Sequence, residues 1–99
     1  MSDGLKNDSE KPKLGLVPIN DIWRAIARVR EFGCKKYKDP DNWKNVDPER
    51  YRHALFRHIA LYCDDPDSVD EESGLPHLYH AACNIAFLLY LENNNTNAK

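Results

Sequence analysis

Three groups of side chains in this sequence have the types and spacing to do chemistry. The first is His77, His80 and Asn84, polar residues in the largely apolar stretch HLYHAACNIAFLLYL from His77 to Leu91. On a helix turning by about 100° per residue they fall at roughly 0°, 300° and 340°, so they form one narrow stripe. A buried polar group without a partner costs about 1–3 kcal/mol, so the stripe must face either polar side chains or a ligand. One reading is an internal network in which His58 bonds to His80 or Asn84. The other is a site, with the histidines on phosphate or metal and Asn84 reading a base or a hydroxyl. His-x-x-His puts two imidazoles on one helical face, but zinc needs further ligands, which only His58 or an acid of the segment 64–72 can supply.

The second group is Tyr37, Asn42 and Trp43 beside Lys35 and Lys36, flat faces for a nucleobase next to cations for its phosphates. The competing reading has Trp43 capping the hydrophobic core and the lysines merely solvated. The third group is Arg50, His53 and Arg57, which share a helical face spanning roughly 60°. The net charge of −2 gives no overall basic field for a nucleic-acid polymer, and none is expected as a partner. The cations gather in the middle third, whereas Asp64, Asp65, Asp67, Asp70, Glu71 and Glu72 crowd one short segment. A small anionic ligand suits that layout.

The elements that must position these groups are helical. Leu14, Leu16 and Val17 before Pro18 read as an extended apolar entry, because a residue preceding proline is pushed out of the helical region. A first helix is expected from an Asn20 or Asp21 cap to Phe32, stopped by Gly33. The segment from Cys34 to Val46 reads as a loop, with Asp39-Pro40-Asp41 supplying turn chemistry. Asp47-Pro48-Glu49 opens a second helix in the favoured order of capping side chain, proline and acid, running to about Cys63. In it Tyr51, Leu55, Ile59 and Tyr62 form an apolar stripe that includes His58. A third helix is expected from Pro76 to about Glu92.

The fold class is therefore all-α: a small bundle of three main helices with an extended N-terminal segment, occupying residues 14–92 between polar tails, 1–13 and 93–99, that are expected to be mobile. The third helix has almost no polar face, and a helix apolar all round must be buried all round. Two short partners cover it poorly, so the bundle is expected to be completed as a homo-oligomer. No apolar run reaches the roughly 18 residues of a membrane span. The polar N-terminus lacks a secretory signal, which points to the cytoplasm. Cys34, Cys63 and Cys83 have no C-x-x-C pairing and read as free thiols in small core positions.

In order and spacing, KPKLGLVP, EFGCKKYKDPDNW, RYRHALFRHIALY and DEESGLPHLYHAACNIAFLLYLE resemble the N-terminal domain of phage and bacterial dATP/dGTP diphosphohydrolases, over about Lys11 to Glu92. The resemblance implies a helical fold related to the MazG-like nucleotide pyrophosphatases, oligomeric enzymes that use Mg2+ or Mn2+ to cut a nucleoside triphosphate into monophosphate and pyrophosphate. Those enzymes hold their ions on paired acids, E-x-x-E and E-x-x-D, and here His53, Arg57 and His58, then His77, His80 and Asn84, stand where such acids belong. The expectation is a purine nucleotide held by Lys36, Tyr37, Asn42, Trp43, Arg50, His53, Arg57, His58, His77 and Asn84. If the chain is catalytic, Glu72 and His80 act on the substrate, and Glu71 and Glu72 hold Mg2+ or Mn2+. The alternative is an oligomeric sponge of host-cell cytoplasm, without catalysis, that sequesters a cyclic or ADP-ribose-like immune-signalling nucleotide; a chain of this size with no attached catalytic domain suits that role.

Overall fold

A computed structural model describes residues 10–94, so most of the two expected tails lies outside the described residues. Three helices carry the fold: α1 (Ile19–Lys36), α2 (Pro48–Asp64) and α3 (His77–Asn93), with short 3-10 turns at Leu14–Leu16 and Asn42–Asn45. There is no strand among the described residues, only an isolated antiparallel bridge between Val69 and Pro76. The all-α expectation holds. α3 packs against both α2 and α1, and the Asn42–Asn45 turn lies against it as well.

The N-terminal entry is not extended throughout. Leu14–Leu16 winds into a 3-10 turn, with the amide of Leu16 bonding to the carbonyl of Lys13 and that of Val17 to Leu14. Only Val17 is extended, at φ −96° and ψ 136°, as its place before Pro18 requires. α1 then starts slightly earlier than its capping side chains suggest, since Pro18 stands at the N-cap without a side-chain bond. It also runs through Gly33 to Lys36, where the amide of Tyr37 bonds to the carbonyl of Gly33. Glycine in a helix interior costs about 1 kcal/mol against alanine, too little to end a helix. Lys35 and Lys36 favour the negative end of its dipole.

α2 begins as its sequence dictates. Asp47 stands at the N-cap and its carboxylate accepts the amide of Glu49 at 3.0 Å, with Pro48 in the first turn. Its inward line is Tyr51, Ala54, Leu55, His58 and Tyr62, with His58 buried and the others half-buried. Ile59 is 39% exposed. It stands roughly 80° from Tyr51 on the helix, at the edge of the stripe.

The connection from α2 to α3 is built rather than slack. Asp65 accepts the amide of Asp67 through its side chain and that of Ser68 through its carbonyl. Further on, the amide of Asp70 bonds to the carbonyl of Leu75, and that of Gly74 to the carbonyl of Asp70. Gly74 makes the reversal at φ +74°, a left-handed conformation that an L side chain resists. This small hairpin sets Asp70, Glu72 and Ser73 next to the start of α3.

The core is small. Among the described residues the buried apolar ones are Ala25, Ala81 and Cys83, joined by the polar His58, His77 and Asn84. Of the three thiols only Cys83 takes a core position; Cys34 and Cys63 are exposed, because each lies on an outward helical face. Burial pushes the Cys83 thiol up to about 11. Along α3, Leu78, Ile85 and Leu89 remain 43%, 45% and 57% exposed, so one copy of the chain does not cover this helix. No helix among the described residues is long and apolar enough to cross a membrane.

Candidate functional site

A cleft of about 680 Å³ opens between α1, α2 and the hairpin, with α3 at its base. α1 contributes Arg30, Gly33 and Lys36, spaced at three residues, and Tyr37 just past its end; α2 contributes Arg50, His53 and Arg57 with Tyr51 and His58. Asn42 and Trp43 of the 3-10 turn, Glu72 of the hairpin, and His80, Asn84 and Phe87 of α3 complete the lining. The structure therefore brings Lys36, Tyr37, Asn42, Trp43, Arg50, His53, Arg57, His58, Glu72, His80 and Asn84 to one place. His77 and Glu71 are not among them. Those two line a second cavity of about 410 Å³, with Asp70 shared between the two spaces.

At the base, His58 and His77 face each other with their Nδ1 atoms 2.9 Å apart, and the ring of His80 stacks on His58 at 4.6 Å and 9°. Burial pushes His58 down to about 4, reinforced by His80 and opposed by Asp70. Burial also lowers His80, again against the pull of Asp70. Both rings are thus neutral at ordinary pH. The internal network is real for His77, but its partner is His58 rather than the reverse pairing of His58 with His80 or Asn84.

Asn84 is different. It is only 8% exposed, yet its amide makes no hydrogen bond to another described residue, and no described side-chain N or O atom is sealed without a partner. Asn84 lines the cleft.

His80 Nε2 lies 2.6 Å from Ser73 Oγ and 3.7 Å from Asp70 Oδ2. Serine, histidine and aspartate here do not form a nucleophile relay, which needs its serine and its carboxylate on opposite ring nitrogens. Ser73 Oγ also accepts the amide of Leu75 at 3.1 Å, so it is a turn residue. Burial raises the Asp70 carboxyl, but the amide and hydroxyl of Ser73, with His80 and His58 beside it, outweigh burial and hold the group below the usual range.

The rim carries the charge. Arg50 and Arg57 have no ion pair among the described residues, whereas His53 leans on Glu49 at 3.7 Å. Lys36 Nζ is 2.7 Å from Glu72 Oε1, and that bond raises the lysine above its ordinary value. The aromatic wall is a packed cluster. Trp43 stacks on Phe87 at 4.3 Å and 10°, meets Tyr90 edge-on at 5.0 Å, and its carbonyl accepts the hydroxyl of Tyr51. Arg30 lies 5.9 Å from Trp43 and 5.6 Å from Phe87, so its guanidinium sits beside the stack rather than on an outer face. It also donates to the carbonyl of Pro40. Trp43 thus joins core and cleft, while Tyr37 stands 52% exposed at the mouth.

The family model for the N-terminal domain of dATP/dGTP diphosphohydrolases matches residues 1–99, the whole chain. The chain belongs to this family. It is 35% identical over 91 residues to a dATP/dGTP diphosphohydrolase of Salmonella phage PMBT28, a match covering 92% of this chain and 30% of that relative. The chain thus spans less than a third of the length of the relative it matches. No solved structure matches.

In this dATP/dGTP diphosphohydrolase N-terminal domain, the residues expected to hold Mg2+ or Mn2+ do not fit a carboxylate-bridged centre. Glu71 and Glu72 line different cavities, and Glu72 is occupied by Lys36. The one group of described residues with converging metal-ligand atoms is His58, Asp70 and His77, whose donors lie within 4.8 Å of one another. Sequence reasoning passed over Arg30, Ser73 and Phe87 as site residues, and offered Asp70 only as one of the acids of segment 64–72. Arg30, Gly33 and Tyr37 recur at helical spacing, which marks a shared face of α1 once the helix is known to continue past Gly33.

Proposed function

We propose that the cleft binds a purine deoxynucleotide of the dATP or dGTP kind. Arg50, His53 and Arg57 take the phosphates, Tyr37 and Asn42 flank the base at the mouth, and Asn84 reads a polar edge of the ligand from below. The observation that carries this reading is Asn84, a residue more than nine-tenths buried that lines the cleft and has no side-chain hydrogen bond to another described residue. An amide at the base of a cleft bonds water in the free protein and can exchange that water for a polar edge of the ligand. Arg50 and Arg57 lie seven residues apart, about 10 Å along the helix, a span suited to a chain of phosphates. The name of the phage relative supports the choice of nucleotide.

Thermal melting against dATP, dGTP and inorganic pyrophosphate, each with and without Mn2+, tests this. A ligand at about 100 times its dissociation constant stabilises the native state by about 2.7 kcal/mol. The triphosphates are expected to raise the melting temperature of the native chain, and Asn84→Leu and Arg57→Ala to lose most of that rise. If no nucleotide moves the transition, the proposal fails. Pyrophosphate release then separates turnover from storage: release abolished by Glu72→Ala assigns hydrolysis to this cleft, and intact nucleotide recovered after heating assigns binding alone.

The uncovered side of α3 supports a second element of the proposal, assembly of identical copies. Leu78, Ile85 and Leu89 fall within roughly 40° on the helix, a continuous apolar line. Light scattering on the purified chain is expected to give a multiple of the chain mass, and Leu89→Asp to lower it. A monomer at micromolar concentration refutes assembly through this face.

A further inference from the structure

We propose that His58, His77 and Asp70 form a binding site for a divalent transition ion of the zinc class, set in the wall between the two cavities. The proposal stands independently of nucleotide binding, since neither His77 nor the second cavity enters that reading.

Two buried imidazoles present the same atom, Nδ1, to each other at 2.9 Å, and His58, His77 and Asp70 each offer one ligand atom, a ring nitrogen or a carboxylate oxygen, within 4.8 Å of the others. The rings are 7% and 5% exposed. At that separation the two Nδ1 atoms share one hydrogen, donated by one ring and accepted by the other. A metal ion takes the place of that hydrogen: the Nδ1–H bond breaks, two nitrogen–metal bonds form, and a proton is taken up at Nε2 of the same ring, so each histidine binds as an imidazole with its N–H on Nε2 and no net proton is lost. Zinc–nitrogen distances of about 2.0–2.1 Å in a tetrahedral sphere set a nitrogen–nitrogen edge of about 3.3 Å, so the rings need to separate by only about 0.4 Å.

The surroundings fix the donors. His80 stacks flat on His58, 4.6 Å away, and holds its plane. The amide of Ser73 bonds to Asp70 Oδ2 at 2.9 Å, and such outer hydrogen bonds orient a metal-binding carboxylate. Two imidazoles with a single carboxylate suit zinc or cobalt, whereas magnesium asks for oxygen donors throughout. Three protein ligands leave one position of the sphere open. His58 and Asp70 face the cleft while Asp70 and His77 face the second cavity, which gives an ion a route in and an open position a way out.

The chelator-treated 99-residue chain is titrated with cobalt(II). The expected result is the intense visible absorption of a low-coordinate ion without a thiolate band, bleached by equimolar zinc and untouched by excess magnesium. His77→Gln and Asp70→Asn are expected to weaken cobalt binding by about ten-fold or more, and His53→Gln to leave it unchanged. Nitrogen NMR of histidine-labelled native chain needs no variant: zinc should shift the Nδ1 signals of two histidines and spare that of His53. Only the faint spectrum of hydrated cobalt, a thiolate band, or histidine signals that do not respond to zinc overturns the proposal.

Discussion

Replacing Trp43 by alanine tests the reading that one indole both closes the core and walls the cleft. The side chain is half-buried, stacks on Phe87 and meets Tyr90 edge-on. Each aromatic pair is worth about 0.5–1.5 kcal/mol beyond area, and removing a buried tryptophan costs about 3–5 kcal/mol in all. Partial exposure reduces this, so a loss of about 3 kcal/mol is expected. In a domain of this size each kcal/mol moves the melting temperature by about 4–8 °C, which puts the shift at about 12–24 °C. Urea unfolding followed by circular dichroism measures the same loss without relying on indole fluorescence. Trp43→Phe keeps a ring against Phe87 and should recover more than half of it. A Trp43→Ala chain that melts within about 3 °C of the parent would show the stack to be ornamental to stability, and the argument for a shared wall would fall.

Three other outcomes rest on the same geometry. Burial pushes Tyr51 up to about 12 from 10.0, so its neutral hydroxyl favours the folded state. The unfolded chain gives up that proton first, so this contribution is complete below about pH 10 and is lost as pH climbs towards about 12, by at most about 2.7 kcal/mol; the stability of Tyr51→Phe should fall less steeply over that window. Gly74→Ala places a side chain at φ +74° and should cost about 1–2 kcal/mol in urea unfolding, with no loss if the hairpin can flip. Asp47→Ala removes the cap on Glu49 and should cost about 1 kcal/mol, read as a lower midpoint at unchanged slope.

How far the sequence anticipates this structure depends on how local each signal is. Asp47, Pro48 and Glu49 carry a complete start signal within three residues, and α2 begins there. Gly33 misleads because a glycine ends a helix only where the chain needs a positive φ, and that need is set by the path of the residues beyond it; here Gly33 stays helical and Gly74 takes the left-handed turn. The cleft lining is legible because Arg50, His53 and Arg57, and likewise His80 and Asn84, share faces dictated by helical periodicity. His77 defeats the same reasoning. It lies on the stripe, but the hairpin of residues 69–76 decides which cavity it meets, and that depends on contacts between Asp70 and Leu75 that no periodicity encodes. The same holds for Glu72, whose bond to Lys36 joins residues 36 positions apart.

The unequal settings of the three thiols give the molecule an internal clock for opening. Cys34 and Cys63 stand in solvent, while Cys83 is 2% exposed on the helix that packs against both of the others. An alkylating reagent meets two sulfurs at once and must wait for the third until the bundle comes apart. The rate at which that last sulfur is captured therefore counts global excursions of the native state, with no label added and no side chain changed.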